Sequence, residues 1–509
     1  MIFDSLLLGL GNVTTPVNIL AILAGTVVGL FVGAMPGLSA TMAIAILVPI
    51  TFAFPPDTGI SLLAAIYLSA MYGGSIAAIL IRTPGTAAAA ATVIDGYPLA
   101  QKGLAGKALG ISLTASFIGG LVSSIALLTV APILGKLALE FGPVEMAAVA
   151  TLGMTIIASL SQESTVKGLL SGALGLMISC VGMDAISGSA RFTMDNINLY
   201  SGVPFTVALI GLFSIPQVLR LLERDEADLK ANTINDSVIP KWQEIKPLVP
   251  TIGRSSVIGI FTGLIPGTGG DTACWFAYNE AKRFAPEGEK ANFGKGSYYG
   301  VAAPEAANNA VVGGALIPTI SLGIPGSSST AVLLGGLMAH GIMPGPTLMT
   351  EYAIVAYTLI WAIFLTNFTM FGIGLGFTRL AVHVTRVPNK VLCTAIVIFC
   401  VIGSFAINNS FFDVYIMLCF GLLGYFMDKL KVPVAPMVVG LILGQMLEVS
   451  IHQSLLISDG TWMVFLEEPI SLGILIVAAL SLFNGTPLYP FVKKKIRAAL
   501  FGNTMKNMQ

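Results

Sequence analysis

Apolar runs of about 20 residues follow one another from end to end of this chain, and each is long enough to cross a hydrocarbon core of roughly 30 Å as an α-helix. The short alternating segments of a membrane β-barrel are absent. Only 10% of the 509 residues are charged, whereas an ordinary soluble chain carries about 25%. Mean hydropathy is +0.86. These features predict an all-α polytopic membrane protein with about 11–12 transmembrane helices. The opening residues, MIFDSLLLGLGNVTTP, lack a positive n-region and a small-residue cleavage site, so no removable signal peptide is expected.

The net charge is zero and no basic tract interleaved with aromatics occurs, which argues against nucleic acid as a partner. The five cysteines, Cys180, Cys274, Cys393, Cys400 and Cys419, are scattered in apolar surroundings and read as buried free thiols. His340, His383 and His452 lie far apart, and neither H-E-x-x-H nor G-x-S-x-G is present. The expectation is a protein that is not an enzyme and has no organic cofactor or catalytic metal.

The runs are interrupted in a pattern that occurs twice. In GLFVGAMPGL at 29–38 and GIFTGLIPGT at 259–268, Gly29, Phe31, Gly33, Pro36 and Gly37 recur as Gly259, Phe261, Gly263, Pro266 and Gly267. Downstream, GGSIAAILIRTPGT from Gly73 is matched by GGALIPTISLGIPGSSST from Gly313. The order is the same in both halves, a broken hairpin followed by a broken span, which predicts an internal repeat.

Loop charge supplies orientation, because cytoplasmic loops are enriched in Lys and Arg. The last run ends at FVKKKIR, which places a tail at 493–509 and the C-terminus in the cytoplasm. Segment 251–279 has Lys241, Lys246 and Arg254 on one side and Lys282, Arg283 and Lys290 on the other, so it reads as a re-entrant hairpin entering from the cytoplasm. Segment 17–54 has no basic residue before Arg82 and should enter from outside. The two repeats are then inverted in the membrane. The first, 1–222, holds hairpin 17–54, broken span 63–98 and four plain spans (108–134, 143–162, 168–187, 202–222). A cytoplasmic linker covers 223–250. The second, 251–492, holds hairpin 251–279, broken span 309–343 and five plain spans. Lys136 and Arg191 run against the charge rule.

Irregular backbone survives at membrane depth only where protein buries it or it lines a wet cavity, so each break marks a candidate site. The tips are Pro36-Gly37, Pro84-Gly85, Pro266-Gly267 and Pro325-Gly326. Glycine tolerates φ > 0 and close approach, and proline removes an N–H that would be left unpaired. Half-helix N-termini suit carboxylates. Hydroxyls flank every break: Ser39 and Thr41; Thr83 and Thr86; Thr268 and Thr272; Ser327, Ser328, Ser329 and Thr330. Any one of them could instead cap or back-bond its own helix. Arg82 could hold a substrate carboxylate, snorkel, or pair with Asp95, which otherwise reads as an interfacial turn. Asp271 and Glu305 are buried-carboxylate candidates for a coupling cation, and Asn308 and Asn309 offer it amide oxygens.

These landmarks resemble the large membrane subunit of the tripartite tricarboxylate transporters, the TctA family. The likeness is densest in GAMPGLSATMAIAILVPITF, YGGSIAAILIRTPGT, DGYPLAQKG, GLIPGTGGDTACWFAY, FGKGSYYGVAAPEAANNAVVGGALIPTISLGIPGSSSTAVLLGG and HGIMPGP. It implies a bacterial inner-membrane permease importing carboxylates on a Na+ or H+ gradient. Its implied partners are a small TctB-like membrane subunit and a periplasmic TctC-like solute-binding protein, with membrane lipid around it and a homo-oligomer admitted. Arg82 stands where the family often has Asn, which implies a substrate of different charge or an aromatic carboxylate rather than citrate. A stand-alone cation-coupled symporter and a channel are the alternative readings.

Overall fold

The computed structural model describes residues 2–159, 164–184, 186–223, 234, 236–384 and 387–484. The expected tail 493–509, the FVKKKIR run, Arg386 and the first part of the linker 223–250 lie outside the described residues.

Helices dominate the described residues. In chain order the first are α1 (Ile2–Val13), α2 (Pro16–Ala34), α3 (Ala40–Thr51), α4 (Pro56–Ile81), α5 (Ala90–Gln101), α6 (Ala105–Ala138), α7 (Pro143–Ser159) and α8 (Thr165–Ser179). A small ribbon follows, β1 (Gly182–Met183) antiparallel to β2 (Ala190–Arg191), with Gly182 opposite Arg191. Then come α9 (Phe205–Glu223), α10 (Trp242–Ile245), α11 (Val249–Leu264), α12 (Gly269–Phe284), α13 (Glu287–Lys290), α14 (Tyr298–Leu322) and α15 (Ser328–Ala339). The chain continues through α16 (Ala353–Val384), α17 (Asn389–Asn408), α18 (Phe411–Lys429), α19 (Val434–Ile457), α20 (Val464–Glu467) and α21 (Pro469–Asn484).

Among the described residues, eight helices are long and apolar enough to cross a membrane: α2, α4, α6, α9, α16, α17, α18 and α19. The fold is therefore that of an all-α polytopic membrane protein. Helix α14 is as long as α4 but carries Pro304, Glu305, Asn308 and Asn309, and it is buried from Gly300 to Ser321. A helix walled by protein need not be greasy. For that reason it starts at Tyr298 rather than at 309, where hydropathy first rises. Other limits also shift. Helix α4 starts at Pro56 rather than 63, and α8 stops at Ser179 rather than 187, because β1 and β2 take up the following residues.

The described residues divide into two compact units, those of 2–140 with 203–429, and those of 141–202 with 430–484. In the first, α2 lies against α4 along a stripe of small residues. A Cβ on Gly25, Gly29 or Gly33 would stand 2.5, 2.6 or 2.4 Å from the carbonyl oxygens of Leu62, Ile66 and Ala70. Such contact is how helices associate where lipid removes the hydrophobic drive. In the second unit, α8 meets α19 in the same manner, Gly175 against the Met437 carbonyl and Gly440 against that of Gly172. There Arg191 lies 3.0 Å from Asp184 and forms a bidentate pair with Glu448. Two carboxylates neutralise the residue that breaks the loop-charge pattern.

All five cysteines are free, but only Cys274, Cys393 and Cys400 are buried. Cys180 is half-buried and Cys419 exposed, correcting the expectation for these two. Cys419 shares the outward side of α18 with exposed Leu418 and Leu422, an apolar surface suited to lipid.

Candidate functional site

Four places combine a helix end, a Pro-Gly pair and a new helix start. Between α2 and α3, Pro36-Gly37 turns the chain and Ser39 caps α3, its Oγ accepting from the Met42 N–H at 3.2 Å. Helix α4 ends at Arg82 in the left-handed conformation (φ 60°), and Pro84-Gly85-Thr86 leads into a 3-10 turn, Ala87–Ala89, ahead of α5. Between α11 and α12 stand Pro266-Gly267-Thr268. Helix α14 stops at Gly323 (φ 74°), and after Pro325-Gly326 a reciprocal cap opens α15. In it the Ser327 N–H donates to Thr330 Oγ1 at 2.9 Å and the Thr330 N–H to Ser327 Oγ at 3.2 Å.

The four tip glycines fall into two physical roles. Gly37, between α2 and α3, and Gly267, between α11 and α12, have φ of 85° and 82°, which a side chain would strain. Gly85 and Gly326, in the broken spans, are needed for space. A Cβ on Gly85 would lie 2.0 Å from the Gly33 carbonyl, and one on Gly326 would lie 2.6 Å from that of Gly263. Gly33 and Gly263 are themselves matching positions of the sequence repeat. Backbone bonds complete the breaks, Gly85 N–H to Gly74 O at 3.1 Å and Gly267 N–H to Gly326 O at 3.0 Å.

The starts of α3, α12, α15 and the turn before α5 surround one cavity of about 140 Å³. Its wall takes Ser39 and Thr41 from the first break, Thr86 and Ala88 from the second, Thr268, Gly270 and Asp271 from the third, and Ser327, Ser328 and Ser329 from the fourth. Met71 of α4 completes it. Thr41 and Ser329 share a 2.8 Å hydrogen bond, and the Tyr67 hydroxyl lies 3.2 Å from Ser327 Oγ. Thr268 Oγ1 donates to the carbonyls of Thr262 and Ile265, tying α12 to the end of α11. Thr86 Oγ1 is buried on this wall with no hydrogen-bond partner among the described residues. Helix starts carry unpaired N–H groups and partial positive charge. The wall bears no Lys, Arg or His and one carboxylate, Asp271, which is exposed to the cavity.

Other expected site residues lie elsewhere. The Arg82 guanidinium is exposed, 5.8 Å from the Tyr97 ring centroid, and is not on the wall. It does not pair with Asp95, nor is Asp95 an interfacial turn. That carboxylate, on α5, is fully buried. Its Oδ1 accepts from the N–H groups of Gly294, Gly296 and Ser297 at 2.8, 2.9 and 2.8 Å, and its Oδ2 from the Tyr278 hydroxyl at 2.8 Å. Thr83 Oγ1 reaches back to the Ile81 carbonyl at 3.5 Å, Thr330 is used in the α15 cap, and Thr272 sits past the wall on α12. Asn308 and Asn309 are buried behind the cavity. The Asn308 amide donates to Met71 O at 3.2 Å, while its Oδ1 lacks a partner beneath Gly270. The Asn309 amide returns to Glu305 O at 3.4 Å, and its Oδ1 is also unpartnered. Glu305 is likewise fully buried and is not on the wall. Tyr67 and Met71 escaped the sequence reading. They stand four residues apart on one face of α4, and nothing in their local sequence marks that face as the one turned to the breaks.

Fold and site together define a multi-pass α-helical membrane protein whose helices break around a polar cavity suited to anions. The chain belongs to the tripartite tricarboxylate transporter TctA family, which it matches over residues 19–439, a range that contains all four breaks. It is 35% identical over 479 residues to a 52.8 kDa protein of the TAR-I ttuC' 3' region of Agrobacterium vitis, with 94% of each chain covered. It is also 35% identical over 217 residues to a protein of the TAR-II ttuC' 3' region of the same organism, covering 43% of this chain and 89% of that one. No solved structure matches.

Proposed function

We propose that this chain is the large permease subunit of a binding-protein-dependent secondary transporter. It imports carboxylates of tri- or dicarboxylate type across the bacterial inner membrane on a Na+ or H+ gradient. The observation that carries this reading is the convergence of three helix starts and a 3-10 turn, each with a hydroxyl, on one small cavity without a cationic side chain. N–H groups and hydroxyls bind carboxylate oxygens strongly. Asp271 on the same wall opposes an anion unless a cation neutralises it, which links the two cargoes electrostatically. Glu305, Asn308 and Asn309, behind that wall, are the other groups given to the coupling cation.

The repeat makes the two hairpins and two broken spans inverted equivalents, and their glycine roles match pairwise as described above. All four breaks fall in one compact unit, which supports an elevator-like cycle in which they travel as one body. The partners are a small TctB-like membrane subunit and a periplasmic TctC-like binding protein, and the C-terminus is cytoplasmic.

Uptake of radiolabelled citrate and tartrate into liposomes holding the chain and its small subunit, with binding protein outside, tests the reading. Accumulation should require the binding protein and one imposed gradient. Accumulation without the binding protein would make it a stand-alone symporter, and gradient-indifferent equilibration a channel. Arg82→Ala should leave the KM for uptake nearly unchanged if substrate is held at the cavity wall, whereas a large rise would bring Arg82 into binding.

A further inference from the structure

Glu305 is fully buried at the centre of the first unit. Its Oε1 accepts from Thr92 Oγ1 of α5 at 2.5 Å, and its Oε2 from Ser116 Oγ of α6 at 3.3 Å. Ser112 of α6 and Ser75 of α4, joined to each other at 2.7 Å, complete a ring of hydroxyls about the carboxyl. The Tyr72 hydroxyl beside them is buried and has no partner.

The surrounding elements bring no compensating charge. Helix α12 presents Asp271 and Cys274. Helix α5 presents Asp95, already held by three N–H groups and Tyr278. On α11, Arg254 is turned to Thr251 at 3.4 Å and to the Phe284 ring at 4.6 Å. On α6, Lys107 pairs with Glu244 at 2.6 Å. Among the described residues no cation pairs with Glu305. A bare carboxylate so placed is costly, and a neutral acid is not. Hydroxyls suit both forms, since each can donate to a carboxylate or accept from a carboxylic acid. The Thr92 hydroxyl held against Oε1 is placed to share a proton with the carboxyl.

Glu305 also stands one helical turn from a residue that touches the cavity wall. One turn along α14, Asn308 bonds Met71 of the wall and underlies Gly270, next to Asp271. Along α4, Met71 is followed by Tyr72 and Ser75 of the hydroxyl ring.

We propose that Glu305 is the proton carrier of the transport cycle. A proton from external water forms an O–H bond on Glu305, crosses as part of a neutral carboxylic acid within the hydroxyl ring, and leaves to cytoplasmic water, restoring the carboxylate. This rests on the transporter reading above and names H+ as its coupling ion.

The test uses the complete system in liposomes, with wild type, Glu305→Gln and Glu305→Asp, radiolabelled citrate and tartrate, and pH and Na+ gradients imposed separately. Wild type should accumulate label on an inside-alkaline pH gradient. Glu305→Gln should fall to the level of liposomes without protein in that assay, yet still exchange external label for internal unlabelled citrate or tartrate. Glu305→Asp should keep part of the pH-driven uptake. The proposal is overturned if Glu305→Gln accumulates label like wild type, if it loses exchange as well, or if wild type answers to Na+ and not to pH. Should wild type take up neither label, the transporter reading fails instead. Infrared difference spectra across a pH titration then judge Glu305 separately: a carboxylic C=O band that disappears in Glu305→Gln supports the proton site, and an unchanged band removes it.

Discussion

Thr41 Oγ1 and Ser329 Oγ, 288 residues apart in sequence, are joined by a buried 2.8 Å hydrogen bond. Each hydroxyl sits two residues past the capping serine of its half-helix, Ser39 for α3 and Ser327 for α15. The bond pins two helix starts to the same point of the cavity wall.

Removing either hydroxyl should therefore loosen both starts. Thr41→Val and Ser329→Ala should each weaken substrate binding by about 1 kcal/mol, roughly fivefold in KM for uptake. The double variant should be little worse than either single one, because the shared bond can be lost only once. Strictly additive losses would mean that the two hydroxyls act apart.

Gly85→Ala should destabilise the protein by about 1–3 kcal/mol through forced repacking. Its Cβ would lie 2.0 Å from the Gly33 carbonyl and 2.8 Å from Gly74 Cα. Gly372→Ala is the control, since a Cβ there meets nothing within 4 Å. Thermal unfolding in detergent should separate the two clearly.

Asp95→Ala strands three N–H groups and the Tyr278 hydroxyl and should cost about 3 kcal/mol or more. Tyr278→Phe removes one donor and should cost less. Asp95→Asn should recover part of the loss, because its amide oxygen still accepts. The same unfolding assay ranks the three.

In the loop after α8, the Asp184 carboxyl is held below its ordinary value by the N–H groups of Ser187 and Ile186, at 2.7 and 2.8 Å, and by Arg191. A lowered folded value means that this contribution is fully present above the unfolded carboxyl range, near about 3.9. It is lost as pH falls through the folded value. Hydrogen-exchange protection, corrected for the intrinsic rate at each pH, should be high at the Met183 and Gly188 amides at neutral pH and fall in acid, since these amides bond Tyr200 O and Asp184 O. Asp184→Asn should show fast exchange at neutral pH and little further acid response.

The breaks were legible in the sequence because Pro-Gly pairs inside apolar runs have a local backbone meaning, and the hydroxyls after them follow from helix-start chemistry. Ser39, Thr41, Thr86, Thr268 and Ser327–Ser329 all reach the cavity for that reason. Asp95 was misread because its partners at 294–297 lie in a loop that no local pattern connects to it. Arg82 drew attention as a cation in an apolar run, but its left-handed backbone at the end of α4 turns it toward Tyr97. The early start of α14 was hidden because hydropathy records what lipid would tolerate and is blind to a helix enclosed by protein.

The cavity is assembled from segments that meet only after the whole first unit has folded. Met71 is bound by Asn308, Ala88 is packed on Gly270, and Thr41 is bonded to Ser329. Its wall draws on residues from 39 to 329, so no short stretch of the chain carries the cavity alone. A substitution at one break is accordingly felt at the residue it faces across the cavity, as Thr41 faces Ser329.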